Sequence, residues 1–127
     1  MYYQGTIMNN VITFKEKFTK FSAFWTPKII AQFDNYHVKA AKMKGEFIWH
    51  SHQDADELFI VIEGVLTICL RDREVVLKAG DSFVVPKGVE HKPVAHEEVH
   101  ALFIEKAGTV NTGDKIDIKT VTQEEWI

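Results

Sequence analysis

The sequence predicts an all-β domain, an antiparallel sandwich or barrel, with a short helical or irregular segment ahead of it. Three observations predict this. Short β-branched and aromatic runs recur along the chain at 29–33, 36–44, 46–52, 57–62, 65–71, 74–78, 82–85, 90–94 and 99–105. Turn residues separate the runs: Asp34-Asn35, Gly45, Asp54 to Asp56, Glu63-Gly64, Asp72-Arg73, Ala79-Gly80-Asp81 and Pro86-Lys87-Gly88. Such punctuation of alternating runs is the sign of closed or stacked antiparallel sheets. Helical spacing appears once, in Phe14, Phe18, Phe21 and Trp25 between Lys15, Glu16, Lys17 and Lys20.

These elements divide the chain into an N-terminal extension packing on the barrel (1–27), the barrel (28–110) and a polar tail (111–127) whose only large anchor is Trp126. Residues 1–13 read as an extension, with Met8 as an alternative start. Leu58-Phe59-Ile60-Val61-Ile62 is apolar without alternation, so both faces of that strand need a cover. One face points into the barrel. The other needs the N-terminal segment or a second subunit, and a homodimer is the expectation.

Composition narrows the function classes. The chain has 127 residues, 46% of them apolar and 26% charged, enough for one ordinary domain. The net charge of −3 argues against nucleic acid as a partner, because phosphate neutralisation needs a basic face. No apolar run is long enough to span a bilayer. The first residues lack the charged and apolar stretches of a secretory signal, which suggests a cytoplasmic protein. The single cysteine, Cys69, excludes an internal disulfide and reads as a small buried hydrophobe. Lys39, Lys42 and Lys44 read as a solvated edge, and His96-Glu97-Glu98 as a solvated turn.

The chemistry concentrates in the histidines. His50 and His52 form an H-x-H, and on a strand residues i and i+2 share a face, so both imidazoles can reach one ion. Glu57 opens the next apolar strand. If 52 and 57 bracket a hairpin, its carboxylate returns to the same ion, and a buried carboxylate needs a cation or hydrogen bonds. His91 opens the strand after a turn in which Gly80 and Gly88 suit positive φ. By itself it reads as a loop histidine. His37, His96 and His100 read as surface or outer residues. By strand parity Ile48 joins the face of His50 and His52, while Phe59 and Val61 join that of Glu57. These three would line an apolar pocket for a small hydrophobic or aromatic ligand.

Gly45-x4-His50-x-His52-x4-Glu57-x6-Gly64 resembles the first motif of the cupin superfamily, and Gly80-x5-Pro86-x-Gly88-x2-His91 resembles the second. The gap from Gly45 to His50 is one residue shorter than usual, and Ala95 stands where an asparagine often ends the second motif. The resemblance implies a double-stranded β-helix (jelly-roll) barrel with one metal ion held by His50, His52, Glu57 and His91. It also reaches the barrel part of mannose-6-phosphate isomerase-like proteins, although no cationic cluster stands near these residues to hold a phosphate. Three imidazoles and a carboxylate suit a divalent Fe, Mn, Ni, Co, Cu or Zn ion and disfavour Ca or Mg. Four protein ligands leave one or two positions for water or substrate. The expectation is a metal-dependent oxygenase, isomerase or lyase acting on a small molecule. A non-catalytic module that binds or senses a small ligand is the alternative.

Overall fold

The computed structural model describes residues 10–127; the expectations for residues 1–9, including a start at Met8, lie outside the described residues. One short helix, α1 (Phe14–Phe18), precedes eight strands: β1 (Lys28–Phe33), β2 (Tyr36–Glu46), β3 (Glu57–Glu63), β4 (Val65–Leu70), β5 (Glu74–Lys78), β6 (Ser82–Val85), β7 (His91–Lys106) and β8 (Glu125–Trp126). The path runs β5-β4-β7-β2-β1-β8, with β3 joining β7 and β6 joining β3. β7 is the spine. One edge pairs with β2 from Val94 to Lys106, while the other pairs with β4 over residues 91–94 and with β3 over 100–104. This is the double-stranded β-helix.

Strand parity sorts the side chains into two cores. Ala41, Phe59, Val61, Ala101 and Phe103 point inward with Leu66, Ile68 and Val99. Ala40, Leu102, Ile60 and Ile62 point outward, where Phe18, Phe21, Ile30 and Ile127 cover them. Phe18 and Phe21 of the N-terminal segment thus cover part of the outer face of the run 58–62, where Leu58, Ile60 and Ile62 remain half-buried.

Five expectations are corrected. Of the four aromatics at helical spacing, Phe18, Phe21 and Trp25 pack on the barrel while Phe14 is exposed, and the helix ends at Phe18. Thr19 closes it, its N–H and its hydroxyl both donating to the Glu16 carbonyl. Trp25 takes a positive φ of 57° while its backbone and indole N–H groups donate to the Lys42 and Lys44 carbonyls. The run 46–52 is not a strand: β2 stops at Glu46, and beyond it only His50 bridges to His91.

The runs 90–94 and 99–105 are parts of one strand. His96, Glu97 and Glu98 are exposed as expected, but they form a bulge, because Met43 pairs with Val99 and Gly45 with Ala95. Lys39 is not at a solvated edge. It shares the inward parity of Ala41 and Met43 and is fully buried, whereas Lys44 is exposed. Cys69 is only half-buried, on β4 opposite Glu74.

Candidate metal centre

Glu57 is the first inward residue of β3, and His91 is the first residue of β7. His50 and His52 lie on the irregular stretch after β2. The backbones of His50 and His91 donate to each other's carbonyls, which ties the two segments together. One donor atom from each of His50, His52, Glu57 and His91 lies within 4.8 Å of the other three. All four side chains are buried.

The hydrogen bonds decide how the rings face. His50 Nδ1 lies 2.9 Å from the Ile48 carbonyl and His91 Nδ1 3.0 Å from that of Val89. A carbonyl only accepts, so Nδ1–H donates in both rings and Nε2 keeps its lone pair for the cluster. Glu57 Oε1 lies 3.3 Å from His91 Nε2 and 3.4 Å from His52 Nε2. His52 Nε2 is buried without a hydrogen-bond partner. Acceptor atoms that converge in a dry interior need a cation between them. The chemistry and the orphaned nitrogen therefore fit a metal ion, which this group can hold.

The electrostatics agree. Burial, reinforced by the neighbouring His91, lowers the His50 pKa to about 4, keeping the ring neutral. Burial opposes ionisation of Glu57. The His52, His91 and Glu105 side chains beside it outweigh burial and hold Glu57 well below the usual carboxylate range. Glu105 moves the other way, raised by burial and by the negative charge of Glu57.

Three residues of this environment were missed from sequence. Lys39 Nζ sits 2.6 Å from both Glu105 Oε2 and Glu124 Oε1, and burial of this ammonium is outweighed by the two carboxylates, which raise its pKa. Parity with Ala41 and Met43 was the available signal for Lys39. The 111–127 tail that brings Glu124 carries no such signal.

A narrow cavity adjoins the cluster, giving water-sized molecules about 30 Å³. Its walls include Trp25, Phe47, Phe59 and Phe103, with His50, Glu57 and Glu105 as polar edges. Of the three residues expected to line it, Phe59 does. Val61 is packed in the inner core, and Ile48 supplies its carbonyl to His50. Parity failed here because 47–52 leaves the ladder. Phe47 turns inward and meets the His50 ring at 5.2 Å, while Trp49 faces outward beneath the Arg71 guanidinium. Ala95 is fully buried in the inner core. Among the described residues no helix is long and apolar enough to cross a membrane.

Comparison with known proteins gives matches of three kinds. The model of the cupin domain matches residues 37–105. The chain is 39% identical over 103 residues to the uncharacterized protein YdbB of Bacillus subtilis (strain 168), covering 72% of this chain and 85% of that one. Among solved structures, a cupin-2 domain containing protein from Shewanella frigidimarina NCIMB 400 is similar at 50% identity and a TM-score of 0.75, over 76% of this chain and 94% of that one. Protein NMB1881 from Neisseria meningitidis is similar at 25% identity and a TM-score of 0.71, over 77% of this chain and all of that one.

Proposed function

This chain belongs to the cupin domain family, and from that premise we propose that it binds one divalent transition-metal ion and acts with it on a small organic molecule inside the barrel. The ligands in this reading are His50, His52, Glu57 and His91. What carries it is the convergence of four buried donors around His52 Nε2, which has no hydrogen-bond partner of its own. A bound ion of this class polarises a coordinated oxygen or presents dioxygen, which is the basis of oxygenase, isomerase and lyase chemistry alike.

The protein's own residues supply the rest. Ile48 and Val89 carbonyls fix the His50 and His91 rings through Nδ1, so both Nε2 atoms stay aimed at one point. Glu57 contributes a negative charge where water is excluded. The Phe47, Phe59 and Phe103 walls keep that region apolar, so a substrate that fits is small and largely hydrophobic. Glu57 is held low and Glu105 is raised by burial and by the Glu57 charge, so two carboxyls of opposite tendency stand at the edge of the cavity.

Metal content by mass spectrometry of untagged protein, wild type against His91→Ala, tests the reading. One transition-metal ion per chain, lost in the variant, is the expected result, and its identity selects the turnover assays. Absence of metal even after reconstitution overturns the proposal. Metal with saturable ligand binding but no turnover moves the protein to the non-catalytic class.

A further inference from the structure

The metal-site reading leaves one structural oddity. The three residues of His50-Ser51-His52 lie outside any strand, yet each has a backbone partner. His50 pairs with His91, and the His52 carbonyl accepts from Gly88 N at 2.8 Å; both partners come from the second motif. Ser51 is held from elsewhere. Its N–H donates to Asp114 Oδ1 at 2.8 Å, and its carbonyl accepts from Asp114 N at 2.9 Å.

The approach is close. Gly113 has φ +57°, and a Cβ there would stand 2.1 Å from the Ser51 carbonyl oxygen and 3.1 Å from His52 Nδ1. The same segment reaches the fourth donor by a second route, from Glu124 to Lys39, from Lys39 to Glu105, and from Glu105 to Glu57. Its own bonds make it a unit rather than a loose end. Asn111 binds Lys119 and Val121, Thr112 binds Thr120, and Ile127 N donates to the Ile29 carbonyl. Gly113, Asp114 and Glu124 all lie beyond residues 37–105, where the family model matches.

We infer that the C-terminal segment 111–127 is a positioning element of the metal site, in which Gly113 and Asp114 hold the His50-Ser51-His52 backbone so that ion binding and docking of the segment strengthen each other. The inference rests on the metal-site reading above. Asp114 touches no ion; it acts through Ser51. Residues that orient ligands from outside typically change metal affinity 10–100-fold when removed. Coupling of two binding events is reciprocal, so the ion tightens the segment by the factor that the segment tightens the ion.

The test uses Co(II) as the probe on the full chain. Its affinity is measured by chelator competition and its geometry by the visible absorption of the bound ion. Asp114→Ala is expected to weaken Co(II) binding about tenfold and change the spectrum, with Asp114→Asn, which keeps the acceptor oxygen, returning most of the loss. Glu98→Ala, which removes an exposed ion pair with His100 outside the segment, leaves affinity and spectrum unchanged. Hydrogen exchange on wild type covers the case in which Asp114→Ala does not fold. Loading with Co(II) is expected to slow the Ser51 and Asp114 amides by a similar factor while leaving the β4–β5 hairpin unaffected. Wild-type affinity and spectrum in Asp114→Ala, or unchanged exchange on loading, overturns this inference and leaves the metal site standing. Wild-type protein that takes up no Co(II) overturns both.

Discussion

His50 and His91 exchange both of their backbone hydrogen bonds, at N–O distances of 3.1 and 2.9 Å. This two-residue bridge is where the segment after β2 touches the start of β7, and it brings the two imidazole centroids to 4.3 Å. Burial and the neighbouring His91 ring make protonation of His50 costly. That has a consequence for pH.

In metal-free protein the His50 ring keeps a pKa of about 4 against 6.5 when solvated. Between those values the unfolded chain takes a proton that the folded chain refuses. Stability therefore rises with pH through the window, is complete above it, and is lost on acidification towards 4. The full swing is on the order of 3 kcal/mol. Glu57, depressed, acts in the same sense at lower pH. Glu105 and Glu124, raised, act against it, since they hold protons in the folded state that the unfolded state has lost. The measurement is thus a difference: urea unfolding of wild type against His50→Gln with chelator present. The gap between the two is expected to change steeply across the window, and a constant gap would sink the assignment of a neutral buried ring.

Glu57→Gln keeps the shape of the side chain but removes its charge, so three imidazoles would face an ion without an anionic partner. For wild type, free ion at 100 times its Kd adds about 2.7 kcal/mol of stability, and a chelator removes it. The variant needs at least tenfold more ion for the same gain. Thermal melts across an ion titration read this directly. Equal curves for both proteins would remove Glu57 from the ligand set.

Two turn glycines separate backbone strain from steric clash. Gly88, at φ +81°, has open space where a Cβ would go, so Gly88→Ala costs only the left-handed conformation, about 1–2 kcal/mol. Gly64, at φ +90°, would place a Cβ 2.8 Å from the Glu98 carbonyl on the β7 bulge. Gly64→Ala carries both penalties, and the bulge must move. The expected order in chemical denaturation is wild type, Gly88→Ala, then Gly64→Ala. Equal losses at the two positions would mean that the bulge yields freely.

The four clustered donors were legible because His50, His52, Glu57 and His91 sit in short motifs whose turn glycines adopt the positive φ that the sequence required. The apolar wall was legible only in part. Alternation assigns faces while the chain stays in a ladder, and the ladder ends at Glu46, so Phe47 and Ile48 exchange the roles that parity gave them. Lys39 was lost differently. Its inward parity was visible, but a lysine reads as solvent-facing unless its partners are known. Those partners are Glu105 on another strand and Glu124 in the tail, at sequence distances that only the fold closes.

Lys39 carries the last prediction. It is fully buried, with carboxylates 2.6 Å away on two sides and the Thr109 carbonyl at 3.0 Å. Lys39→Met retains much of the volume but strands Glu105 and Glu124 without a counter-charge, next to a third carboxyl at Glu57. Breaking a buried pair on one side typically costs about 3–5 kcal/mol, whereas removing the whole set is nearly neutral. The single variant is therefore expected to lose that much in urea unfolding, and Lys39→Met with Glu105→Gln and Glu124→Gln to recover most of it. The single variant also gains a pH signature. Its stranded carboxyls hold protons more tightly in the folded state, so its deficit shrinks as pH falls and grows as pH rises through their raised pKa values. A single variant as stable as the triple one at every pH would mean that Lys39 neutralises nothing, and that Glu105 and Glu124 stay protonated beside it.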